Sequence, residues 1–63
     1  MNEIKMGDRF YDERNGRYLT VDGVGADPKV FCCIVEEIED EDYTVTGRQL
    51  FNMNELKHFQ KEG

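Results

Sequence analysis

The stretch Gly7-Asp8-Arg9-Phe10-Tyr11-Asp12-Glu13-Arg14-Asn15-Gly16-Arg17-Tyr18-Leu19-Thr20-Val21 decides the fold. At its centre, Asn15-Gly16 is a strong hairpin signal. Both central residues of a type I′ turn need positive φ, which Asn tolerates and Gly adopts freely. Read as a two-residue loop, it sets Arg14 opposite Arg17, Glu13 opposite Tyr18, Tyr11 opposite Thr20 and Phe10 opposite Val21. Phe10, Leu19 and Val21 then share the core face, and Tyr11, Tyr18 and Thr20 share the other. One consequence is awkward: Asp12 faces Leu19, so it needs an open sheet end or a bulge to turn it out.

Beyond the hairpin, Gly23, Gly25, Asp27 and Pro28 read as a connection, because Pro28 donates nothing to a ladder and biases Asp27 away from helix. Val30-Phe31-Cys32-Cys33-Ile34-Val35 follows, apolar at both parities, β-branched and short. It predicts a central strand covered on both faces, with Ile38 continuing the inward phase of Ile34. Glu36, Glu37, Glu39, Asp40, Glu41 and Asp42 put six acids into seven residues, which reads as a sheet leaving the core and then a solvated loop.

Tyr43-Thr44-Val45-Thr46 predicts a strand with Tyr43 and Val45 on one face, Gly47-Arg48 a turn, and Gln49 to Phe51 a short return strand. Asn52 and Glu55 form a capping-box pattern, with Phe51 and Leu56 as its hydrophobic staple. Met53, Leu56, Phe59 and Gln60 repeat at helical spacing, giving one or two turns, and Lys57, His58 and Lys61 suit the C-terminal end. At the other terminus, residues 1–6 read as a lead-in whose Ile4 and Met6 tuck against the core. The expected fold is mainly β: a small five-stranded barrel or curled antiparallel sheet with a short C-terminal helix.

Size and charge bound the function. Sixty-three residues make one domain, 1–63, with a thin core. Hydrophobic residues are 38% and charged residues 35%, enough apolar content for one small core rather than a disordered chain. The net charge of −6 is uneven, with −1 over residues 1–30 and −5 over residues 31–63. That balance argues against direct nucleic-acid binding, which needs Lys and Arg on phosphates, and against an anionic membrane surface. Partners with basic faces remain open. The longest apolar run is six residues, too short to span a bilayer, and Glu3, Lys5 and Asp8 interrupt any signal-peptide core. Cys32 and Cys33 are adjacent, closer than the usual disulfide window, which points to a reducing, cytoplasmic setting.

Chemistry-bearing patterns are weak. The chain has no serine, so Ser-His-Asp catalysis is excluded. Cys32 or Cys33 with His58 is the one Cys–His combination, and a strand cysteine more commonly behaves as a small buried hydrophobe. Adjacent strand cysteines point to opposite faces and cannot converge on one zinc ion. Counting Asp40 as the first position of a calcium loop puts Val45 where Gly is required and Phe51 where Glu is required. In Gly23-Val24-Gly25 the third glycine of a phosphate cradle would fall on Pro28. No cofactor, metal or catalytic set is therefore expected.

The entry Gly7-Asp8-Arg9-Phe10-Tyr11, the run Asn15-Gly16-Arg17-Tyr18-Leu19-Thr20-Val21, the central apolar strand and the exit Phe51-x-x-x-Glu55-Leu56 together resemble a small SH3-like barrel. The pattern is similar to the short accessory proteins of unknown function carried by bacterial phages and conjugative elements. That resemblance covers roughly residues 6–60 and implies a fold and a setting, with no catalytic residue to carry over. The expectation is a non-enzymatic protein–protein interaction module, monomer or weak homodimer. Its candidate partner-binding residues are Tyr11, Arg14, Arg17, Tyr18 and Tyr43, since Tyr gives contact area at low entropic cost. Arg14 opposed to Arg17 would be offset by a partner's carboxylates or phosphates. The alternative is an acidic mimic of nucleic acid that occupies a partner's basic groove through Glu36, Glu37, Glu39, Asp40, Glu41 and Asp42.

Overall fold

The computed structural model describes residues 4–62. The chain is mainly β, as the sequence predicts. The strands are β1 (Arg9–Asp12), β2 (Arg17–Val24), β3 (Val30–Glu39), β4 (Asp42–Asn52) and β5 (Gln60–Glu62), with one helical turn, α1 (Met53–Leu56), between the last two. All neighbours pair antiparallel in the order β4-β3-β2-β1-β5. The sheet curls but does not close, leaving β4 and β5 as its edges.

The core is a single cluster on one face: Phe10, Leu19, Val21, Phe31, Cys33, Val35, Phe51 and Leu56. Phe10, Leu19 and Val21 share it as their spacing requires, because side-chain parity is fixed by the strand period alone. Phe31, Cys33 and Val35 follow in the same phase on β3, while Val30, Cys32 and Ile34 are half-buried on the other face. The strand is therefore covered fully on one side only. Ile38 is on that outer side and 60% exposed, in phase with Ile34 but not inward.

Four further expectations are corrected. The first hairpin does not turn on Asn15-Gly16 alone. Its register is Phe10↔Leu19, Tyr11↔Tyr18 and Asp12↔Arg17, so residues 13–16 form a four-residue loop. Only Gly16 has positive φ there, at 62°, and Arg14 is not opposed to Arg17. The acidic run is not a loop: Glu36 to Glu39 extend β3, Asp42 opens β4, and only Asp40-Glu41 turns. Gly47-Arg48 is not a turn but part of β4, where Thr46 is bulged out between Val45↔Glu36 and Gly47↔Val35. Gly47 takes φ 153° at this bulge, a conformation other side chains rarely adopt. Lastly, the helix has the shorter of its expected lengths, one turn, and Phe59 and Gln60 do not continue it: Gln60 to Glu62 form a strand that pairs with β1.

The helix cap is as predicted. Asn52 Oδ1 accepts from the Asn54 amide at 2.8 Å, and Glu55 Oε1 accepts from the Asn52 amide at 3.0 Å. Leu56 is fully buried and Phe59 packs edge-on to Phe51, with ring centroids 6.1 Å apart. Ile4 packs against the core, whereas Met6 is exposed; residues 1–3 lie outside the described residues.

Candidate functional site

Two faces near the first hairpin carry most of the candidate residues, and Asp12 organises both. Its parity points it inward, where it is 1% exposed. An inward carboxylate must be satisfied, and here it is: the Asn15 side chain donates to Oδ2 at 2.7 Å, the Asn15 amide to Oδ1 at 3.3 Å, and Arg17 Nε to Oδ2 at 3.0 Å. Burial pushes the carboxyl pKa up, but the hydrogen bonds from Asn15 and Arg17 together outweigh it and hold Asp12 below the ordinary carboxylate range. Arg17 is thereby committed to Asp12, with its guanidinium 5.6 Å from the Phe51 ring, while Arg14 stands exposed on the loop.

On the outer face this register sets Tyr11 of β1 directly across from Tyr18 of β2. Their ring centroids are 4.9 Å apart and tilted by 50°. Tyr43 of β4 reaches over β3 to meet Tyr18 edge-on, at 4.8 Å and 77°. The structure so joins three tyrosines from three strands into one row, in geometries that aromatic pairs favour. Tyr43, charged when ionised, and then burial push the Tyr11 phenol above its usual pKa. At the middle of the row the Arg9 guanidinium lies 4.1 Å over the Tyr18 ring and 3.4 Å from Glu36 Oε1. Arg9 is a residue the sequence reading passed over, although its parity with Tyr11 marks it as lying on the same face.

The six acids are divided. Glu36 is half-buried and paired with Arg9. Glu37, on the other face, accepts from the Thr46 hydroxyl at 2.7 Å. Glu39, Asp40, Glu41 and Asp42 form the exposed tip of the β3–β4 ribbon. Asp40 and Glu41 both have positive φ, at 49° and 74°.

On the core-face side, an open cleft of about 840 Å³ lies between the 13–16 loop and residues 55–60, with Arg14, Asn15, Gln49, Phe51, His58 and Phe59 among its lining residues. Neither cysteine lines it, so His58 has no thiol partner there. Cys33 is fully buried, and burial raises its thiol pKa to about 11; burial and then the Asp22 carboxylate raise that of Cys32. Among the described residues, no group of three or more His, Cys, Asp or Glu side chains is placed to hold a metal ion. No described helix is long and apolar enough to cross a membrane. No protein-family model, curated protein or solved structure matches the chain.

Proposed function

We propose that the protein is a non-enzymatic protein–protein interaction module that docks through its outer sheet face. The observation that carries this reading is the row Tyr11–Tyr18–Tyr43 with Arg9 stacked on it. Tyr and Arg are enriched at protein interfaces because each offers a large contact area with a polar end, and the row holds them side by side. The rings pack on one another before any partner arrives, so little side-chain entropy is left to lose on docking. The partner is a protein, in keeping with the −6 charge, which disfavours nucleic acid and anionic membranes. A cytoplasmic setting, as an accessory protein of a bacterial mobile element, belongs to the same proposal. The free thiols Cys32 and Cys33 are in keeping with a reducing compartment.

The acidic-mimic reading draws support from the exposed tip Glu39 to Asp42. Partner capture by two variants, each checked for folding by circular dichroism, separates the readings. The tyrosine-row reading predicts that Tyr11→Ala/Tyr43→Ala loses a partner that the parent retains from a bacterial extract. Asp40→Asn/Glu41→Gln should keep most of it, with only a modest salt dependence. The reverse pattern, with binding that collapses in salt, would make the tip a nucleic-acid mimic instead.

A further inference from the structure

We infer that the free edge of β4 takes up an extended segment of a partner protein as a sixth strand, and that this segment is apolar on its outer face and basic where it meets the β3–β4 tip. The inference rests on the interaction-module reading and names the chemistry of the partner. It begins from a contrast between the two sheet edges. β5 is three residues long and carries Lys61 and Glu62, the short and charged form that discourages strand addition. β4 is eleven residues long, and every one except Phe51 is exposed. From Thr44 to Asn52 it holds no acid and a single base, Arg48, in a chain of net charge −6. One blunting device is present, the bulge at Thr46, and it leaves a run on either side of it.

The surroundings of this edge specify what fits. Side chains of an added strand alternate between the faces. On the outer face they meet Val45 and Leu50, each 60% exposed, with Arg48 between them held by Asp22 and with Ile38 beside Tyr43. That side rewards apolar groups. On the opposite face β4 itself offers Thr44 and Gln49, and the acids Glu39, Asp40, Glu41 and Asp42 are gathered at the tip, so cations are rewarded at that end. A second copy of the chain is the poorer occupant. It brings another −6, and the one base on its β4 is already held by Asp22 at 3.1 Å.

The test uses the whole protein and a short blocked peptide of alternating lysine and valine, followed by NMR. The expected result is shift changes and slowed amide exchange concentrated on β4. N-methylating alternate peptide amides removes several ladder bonds and should weaken binding about 10- to 100-fold. Val45→Lys, an exposed substitution, should weaken it as well. Equal binding of the methylated peptide would overturn the inference, since charge attraction to the tip needs no ladder. So would no binding, or β4 shifts that grow with protein concentration without peptide, which would make a second copy the occupant. Shifts centred on Tyr11 and Tyr18 instead would overturn the edge while leaving the interaction module standing.

Discussion

The two hairpins at the same end of the sheet turn in opposite ways. The β1–β2 connection contains Asn-Gly, the dipeptide best suited to a two-residue turn, yet it uses four residues. The β3–β4 connection contains Asp-Glu, which is poorly suited, yet Glu39 pairs with Asp42 and both central residues adopt positive φ. The difference lies in what each turn is fastened to. The first is held by the buried Asp12 carboxylate, which needs the Asn15 and Arg17 donors and finds them only in a wider loop. The second closes two long paired strands, whose register sets the loop length whatever residues occupy it. Local preference yields to a buried charge in one case and to ladder register in the other.

The largest expected effect separates the supported end of this pair from the free one. Leu56 is fully buried under the sheet that carries the first hairpin, and Leu56→Ala should cost about 2–5 kcal/mol, comparable with the whole stability of so small a domain. Ile38→Ala, on the projecting ribbon, should stay within about 0.5 kcal/mol, the range for surface sites. Thermal melts of the two variants compare them directly, and equal losses would mean that the ribbon is packed as firmly as the core.

Next in size is the fastening itself. Asp12→Asn removes a carboxylate hydrogen-bonded to Arg17 and should cost about 2 kcal/mol at neutral pH, in the range for hydrogen bonds to charged groups. The folded pKa of Asp12 lies below its unfolded value, so its contribution is complete above the unfolded value of about 3.9 and is lost as pH falls through the folded one. Melts of parent and variant should therefore converge as the pH drops below about 4. A gap that is constant with pH would remove charge from the explanation. Smaller still, Asp40→Asn/Glu41→Gly puts favourable residues at two positive-φ positions and should raise stability by about 1 kcal/mol. A loss in a denaturant titration would show that the acids hold the tip by contacts of their own.

Face parity is legible in the sequence because it depends only on alternation. Phe10, Leu19 and Val21 fall inward together and Tyr11 and Tyr18 outward, whereas Ile34 and Ile38 share a phase as expected but on the outer side. Register is not legible, because it turns on where a buried carboxylate finds donors. Phe10 and Val21 stay on one face under either register, so their alternation could not choose between them. The second half was harder. Gly47 looked like a turn and is a bulge, and cutting β4 there hid the path by which Tyr43 reaches Tyr18. β5 carried no strand pattern, since Gln60, Lys61 and Glu62 become extended by pairing with β1 from fifty residues away. The candidate tyrosines were all named from sequence, and their union was not.

That union depends on the register of the first hairpin, because only a four-residue loop sets Tyr11 across from Tyr18. Cross-strand nuclear Overhauser contacts in isotope-labelled protein read it directly. The account predicts backbone contacts between β1 and β2 that pair Tyr11 with Tyr18 and Asp12 with Arg17. Contacts pairing Tyr11 with Thr20 and Glu13 with Tyr18 would contradict it, returning the turn to Asn15-Gly16 and dissolving the tyrosine row.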